Sequence, residues 1–170
     1  MSAPPSINRF GLIMVWTLLL AAATWVFSGI LDSRNNPNKR VEVVRQDDGS
    51  DVLVLQSNPS GHYLASGQIN GHDAVLLLDT GATRVSIPGA LADKIGLEAG
   101  ASMLAQTANG TVEVFATRLD HVRLGTIEIR NVPASINPGM EGEQVLLGMS
   151  FLRHLEMWQK DRSLYLKVAP

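Results

Sequence analysis

Asp79 stands at the end of an unbroken apolar run, Ala74-Val75-Leu76-Leu77-Leu78, and is followed by Thr80 and Gly81 before a second β-branched run begins at Val85. A carboxylate at the exit of a buried strand is costly to place and needs a reason. Thr80 can hydrogen-bond across neighbouring backbone, and Gly81 lets the chain turn tightly with its N–H aimed at the carboxylate, so the triplet holds Asp79 rigid. The chemistry open to a fixed carboxylate is proton transfer. The competing explanation is an ordinary turn or capping aspartate, since Asp-Thr-Gly suits a tight turn anywhere. The order of the surrounding elements decides between the two.

Other chemistries lack their residues. Cysteine is absent, which excludes thiol nucleophiles, disulfides and Cys-based zinc or iron–sulfur sites. His62, His72, His121 and His154 form no close ligand pair and no His-Glu-x-x-His, so no metal is expected. There is neither a Gly-x-Ser-x-Gly nucleophile turn nor a phosphate-cradling Gly-rich loop with Lys, and no cofactor is expected. With Lys+Arg 14 against Asp+Glu 16 and a formal net charge of -2, no basic field draws the chain to nucleic acid.

The elements that must position Asp79 are short and mostly extended. A chain of 170 residues, 45% hydrophobic, has length for one ordinary domain and an appendage. From residue 52 onward, short apolar or alternating runs recur between turn signals, the pattern of a compact all-β domain. Strands are predicted at about 52–55, 62–69, 74–78, 85–87, 103–107, 111–119, 122–124, 127–132, 134–136, 145–147, 156–159 and 163–168. Two short helices interrupt them. One spans Gly89 to Ile95 after Pro88 and is stopped by Gly96; the other spans Ser150 to Leu155, with Ser150 as a candidate cap. Asn70-Gly71 and Asn109-Gly110 are two-residue hairpin signals. Trp158 and Tyr165 fall in the last strands, where core or dimer packing is the default. Arg84, soon after the triplet, can either brace a dimer or stand exposed.

The order of these parts resembles the retropepsin-like aspartic peptidases. Leu77-Leu78-Asp79-Thr80-Gly81-Ala82 matches the active-site signature of that family, Gln106 to Phe115 matches its flap hairpin, and Leu146-Leu147-Gly148 before a short helix matches its later apolar-apolar-Gly element. The resemblance spans roughly residues 60 to 168. It implies an all-β fold, a closed retropepsin-like β-barrel or sandwich with one or two short helices. It implies a catalytic Asp79 supported by Thr80, Gly81 and Ala82, with Ala108, Asn109, Gly110 and Thr111 at the substrate-covering flap, and a protein or peptide substrate. Such enzymes need two carboxylates near one another sharing one proton, so that the ionised member activates a water while the neutral one donates to the scissile carbonyl. The chain holds no second Asp-Thr-Gly or Asp-Ser-Gly; Asp32-Ser33-Arg34 and Asp48-Gly49-Ser50 are the nearest misses. The resemblance therefore implies a homodimer with Asp79 beside its own copy across a two-fold axis. The alternative is a catalytically inactive, membrane-tethered binding or scaffold module that reuses the fold.

Between Arg9 and Asp32 the run FGLIMVWTLLLAAATWVFSGIL carries no charge and is long enough to cross ~30 Å of hydrocarbon as a helix. Its length exceeds a signal-peptide core, which favours an uncleaved anchor. The expected organisation is a short tail at 1–9, a transmembrane helix at 10–31, a polar juxtamembrane linker at 32–51 with at most a short strand at 41–44, and a peptidase domain at 52–170. With the anchor, the chain looks like the bacterial membrane-anchored subgroup. That resemblance favours the inner membrane with the domain on the periplasmic side, although Arg34, Lys39 and Arg40 outnumber Arg9 and by charge alone lean toward a cytoplasmic domain.

Overall fold

The computed structural model describes residues 9–47, 49–107 and 110–169. It divides into two units, the first ending at Asn35 and the second beginning at Asn36. The first holds α1, Arg9–Asn35, which overruns the apolar stretch by a few residues at its C-terminal end. It has no buried residue and is long and apolar enough to cross a membrane. Inside it, Thr17, Thr24 and Ser28 return their hydroxyls to the carbonyls one turn back. These polar side chains are thereby satisfied within the helix, as a nonpolar surrounding requires.

The second unit is built of strands. In chain order these are β1 (Glu42–Arg45), β2 (Asp51–Gln56), β3 (Leu64–Ile69), β4 (His72–Leu78), β5 (Val85–Pro88), β6 (Ser102–Thr107), β7 (Gly110–Leu124), β8 (Ile127–Asn137), β9 (Gln144–Leu147), β10 (Leu155–Lys160) and β11 (Ser163–Val168). Helix α2 (Gly89–Lys94) follows β5, and α3 (Met149–Leu152) follows β9. One sheet has the order β3-β4-β9-β5-β8-β7-β6, and a further β3–β7 pairing closes it on itself. The other has the order β1-β2-β11-β10. Leu53, Leu55 and Leu166 from the smaller sheet join Leu76, Val85, Ile87, Leu119, Leu147 and Phe151 in one core. The architecture is the expected mostly-β, retropepsin-like one.

Several local expectations are corrected. The strands predicted at 111–119 and 122–124 are one strand, β7, and those at 127–132 and 134–136 are one strand, β8. Asp120 and His121 look like a break but lie at the exposed and half-buried surface of β7, which stays paired with β8 on one side while on the other β6 gives way to β3 at Val122 and Arg123. Asn131 and Pro133 in β8 are tolerated because Asn131 adopts a positive φ of 55 within the strand while the pairing resumes at Val132. Helix α3 is a single turn ending at Leu152, since Leu155 already belongs to β10. Trp158 and Tyr165 are not core residues: their rings stack at 5.4 Å, with Trp158 on an exposed strand. The Asn70-Gly71 turn forms as expected, both residues at positive φ between Ile69 and His72.

Part of the segment expected to be a linker is built into the β unit. β1 pairs with β2, from Glu42 opposite Val54 to Arg45 opposite Asp51. Asn38 is buried at 3% exposure and acts as a clamp between two strands. Its amide donates to the Gln56 carbonyl at 2.9 Å and to the Leu64 carbonyl, and its Oδ1 accepts from the Gln56 N–H at 2.7 Å. A buried amide with every polar atom engaged fixes the chain here more firmly than a polar composition suggests.

Candidate active site

Asp79 leaves the end of β4, in a position fixed from both sides by backbone. Its N–H donates to the Leu147 carbonyl at 3.2 Å, and that of Leu78 to the Tyr63 carbonyl at 3.0 Å. The first bond exists because β4 runs parallel to β9, Leu78 opposite Leu147, and the second continues the antiparallel β3–β4 ladder beyond Leu64 opposite Leu77. Parallel neighbours on a buried sheet favour continuous apolar runs over alternation, which accounts for the Ala74–Leu78 sequence. The half-buried Asp79 carboxylate accepts the Gly81 N–H on Oδ1 at 2.8 Å. A Cβ at Gly81 would lie 3.1 Å from that oxygen, so glycine keeps the approach open. Thr80 is exposed, and among the described residues its hydroxyl has no partner; the backbone bond expected of it does not form within one chain.

The loop behind the carboxylate is held by α3. Met149 N–H donates to the Ala82 carbonyl at 2.8 Å and Ser150 N–H to the Thr83 carbonyl at 3.0 Å. Gly148 makes this possible, because a Cβ there would sit 2.3 Å from the Arg84 carbonyl oxygen and 2.5 Å from that of Ala82. Ser150 does not cap α3, whose N-cap is Gly148 without a side-chain bond. Its buried hydroxyl instead accepts the Val85 N–H at 2.9 Å, tying the helix to the first residue of β5. Nothing local in the sequence marks this use of Ser150, since its partner lies far off in the chain.

Across from the loop stands the β6–β7 hairpin, paired from Ser102 opposite Phe115 to Thr107 opposite Gly110. The Thr107 hydroxyl donates to the Gly110 carbonyl at 2.8 Å, closing the end of the ladder. Gly110 and Thr111 are exposed at the start of β7; Ala108 and Asn109 lie outside the described residues. Between hairpin and loop runs a cleft of about 380 Å³. Gly81, Ala82 and Arg84 wall it on one side, Met103, Leu104 and Gln106 on the other. A cleft of this size, lined by apolar and polar residues alike, suits an extended chain segment. The Asp79 carboxylate, bonded to the N–H of the lining residue Gly81, is fixed beside this cleft and can accept or donate a proton there. Gly81 and Ala82 thus share one space with the hairpin, and Asp79 is tied to that wall through the Gly81 N–H.

The chain matches the family described as "gag-polyprotein putative aspartyl protease" over residues 65–154, just over half of its length. An uncharacterized protein encoded in the cobV 5′ region of a Sinorhizobium species is 34% identical over 123 residues, which cover 71% of this chain and 53% of the relative. The chain therefore spans about half the length of the curated relative it matches. The crystal structure of a retropepsin-like aspartic protease from Rickettsia conorii superposes with a TM-score of 0.56 at 23% identity, covering 75% of this chain and 93% of that one. EIAV protease in complex with the inhibitor HBY-793 is similar at a TM-score of 0.47 and 20% identity, over 58% of this chain and 92% of that one. The Asp-Thr-Gly turn, the hairpin and the Gly148 element all fall within the matched stretch, and the chain belongs to the retropepsin-like aspartyl protease family.

Proposed function

We propose that the protein is a membrane-anchored aspartic endopeptidase that works as a homodimer, with Asp79 of each copy forming the catalytic pair. The observation that carries this reading is a single carboxylate rigidly mounted beside a peptide-sized cleft, bonded to the N–H of its lining residue Gly81. One such group is half of a proton-sharing pair, and the sequence contains no second Asp-Thr-Gly to supply the other half. In the proposed reaction a water lies between the two Asp79 carboxyl groups. The ionised one takes a proton from the water, and the hydroxide adds to the peptide carbonyl carbon. The protonated one donates its proton to the carbonyl oxygen, which gives a neutral gem-diol intermediate. Collapse breaks the C–N bond as the amine takes up a proton and the diol gives one up, leaving the pair again with one proton.

Thr80, Gly81 and Ala82 support the carboxylate in this scheme, and the hairpin end at Ala108, Asn109, Gly110 and Thr111 covers the substrate. The helix α1 serves as the anchor, in a bacterial inner membrane with the β unit on the periplasmic side. Two chains held in one bilayer meet at raised effective concentration, which favours the pair.

Digestion of a peptide library by the full chain in detergent tests the mechanism. The Asp79→Asn chain should lose about a thousandfold or more in rate with its circular dichroism unchanged, because a near-isosteric group replaces the only proton carrier. Retained proteolysis in that variant would refute the assignment. A second measurement tests the assembly. The rate should rise more steeply than linearly with protein concentration below the dimer dissociation constant, and excess Asp79→Asn chain should poison the wild type. Constant specific activity on dilution, with no poisoning, would mean that one chain works alone.

A further inference from the structure

We propose that Arg84 makes the cleft selective for peptides carrying a carboxylate within a few residues of the scissile bond. The inference rests on the reading of this cleft as the substrate site and adds the chemistry it selects. Arg84 immediately precedes β5, in which Val85 and Ile87 are fully buried in the core. By strand alternation Arg84 and Ser86 share the opposite face, and both line the cleft. Among the described residues Arg84 is the only charged one on the cleft wall, with no Asp or Glu beside it there. It is half-buried, so its charge is only partly screened by water.

Its neighbours leave it available. Arg118, which lines an adjoining cavity that Arg84 also borders, spends its guanidinium on the Asn131 carbonyl at 2.9 Å. Glu98 and Asp120 line the same cavity. Yet among the described residues no carboxylate lies within ion-pair distance of Arg84, and its guanidinium makes no hydrogen bond. A guanidinium offers a fork of donors matched to a carboxylate, and pairing in a partly dry cleft is stronger than on an open surface. The chain places this group five residues after Asp79, on the loop that also carries Gly81 and Ala82, so a carboxylate bound to it lies close to the reacting peptide bond. That carboxylate can belong to an Asp or Glu side chain or to the C-terminus of the peptide.

Binding to the full-length Asp79→Asn chain in detergent separates selection from catalysis. The probes are amidated peptides, neutral except for one Glu moved stepwise through the sequence, with matched Gln peptides and a third set whose only carboxylate is a free C-terminus. Glu peptides should bind about tenfold more tightly than their Gln partners at one or two positions, and Arg84→Gln should abolish the difference. In Arg84→Glu the preference should reverse toward matched Lys peptides. A preference confined to the third set would assign the carboxylate to a chain end, one confined to the first set to a side chain. Equal binding of the Glu, Gln and free-terminus sets overturns the proposal, as does Arg84→Gln converting dimer to monomer in sedimentation with the peptide ratios unchanged. Wild-type digestion of the same peptides is read separately. If Arg84-dependent binding is found with no cleavage, the peptidase reading fails and the selectivity stands; if Glu and Gln peptides are cleaved and bound alike, the reverse holds.

Discussion

The two walls of the cleft are built on opposite principles. On one side, Asp79 is mounted by the parallel pair β4–β9, by Gly148 pressed against the carbonyls of Ala82 and Arg84, and by Ser150 tied to Val85. Behind it Val85, Ile87, Leu147 and Phe151 have no exposed surface at all. On the other side β6 contributes no buried residue, pairs with β7 alone, and exposes Leu104 at 77%. The mount is over-determined and the hairpin is held by one ladder. A proton-transferring group gains from a fixed position, whereas a wall that must admit and release a chain gains from few competing contacts.

The sharpest way to break this contrast is at Gly148. Replacing it by Ala puts a methyl group onto backbone oxygens that cannot step aside, and we expect a loss of about 3 kcal/mol in chemical denaturation. Activity should fall with it, since the displaced segment carries Asp79. A neutral Gly148→Ala would mean that the loop behind the carboxylate is not tightly mounted. The hairpin should answer differently. Gly110 has φ 110 with open space around it, and Pro cannot adopt that angle. Gly110→Pro should cost only about 1 kcal/mol of stability, because nothing buried depends on it, yet lower kcat/KM by about tenfold. Equal stability losses at the two glycines would erase the distinction.

The smallest effect is expected at the far end of β7 from the hairpin. Glu128 accepts two hydrogen bonds from Arg123, at 3.2 and 2.6 Å, and pairs with Arg130 at 2.7 Å. The Arg123 hydrogen bond foremost, with the charges of Arg130 and Arg123, holds its carboxyl below the ordinary range against a weaker opposing effect of burial. A depressed carboxyl contributes stability above its unfolded value, and that contribution fades as pH falls through the folded value. Glu128→Gln should therefore be slightly less stable than wild type at neutral pH and equal to it in strong acid, with the difference shrinking in high salt. A difference that grew on acidification would reverse the assigned sign. Neither wall of the cleft should respond.

What was legible in the sequence follows the same contrast. Continuous apolar runs announced β4 and β9, and an Asn-Gly pair announced the β3–β4 turn, because these signals act through neighbours in sequence. The Gly148 element was legible from its apolar-apolar-Gly order. Its reason, the oxygens of Ala82 and Arg84, was not, since it depends on which strand lies alongside. Ser150 was misassigned to capping for the same cause: a hydroxyl near a helix start is ambiguous until its tertiary partner is known. Continuity of β7 through Asp120 and His121 was hidden because the strand carries polar residues in the stretch where one edge neighbour, β6, has ended and the next, β3, begins. Arg84 gave no signal beyond its charge, which is equally at home on any surface.

The parallel pairing of β4 with β9 also sets an order of events in time. Val75 is matched with Gln144 and Leu78 with Leu147, so the strand that delivers Asp79 leaves the ribosome long before its partner. Closing such a distant pairing costs chain entropy and is intrinsically slow. Until Leu147 has been made, the Asp79 N–H lacks its carbonyl, and until Gly148 and Ser150 follow, the loop behind it lacks its backing. The nascent chain thus carries the aspartate through the synthesis of 68 further residues, from Asp79 to Leu147, without the geometry that makes it useful.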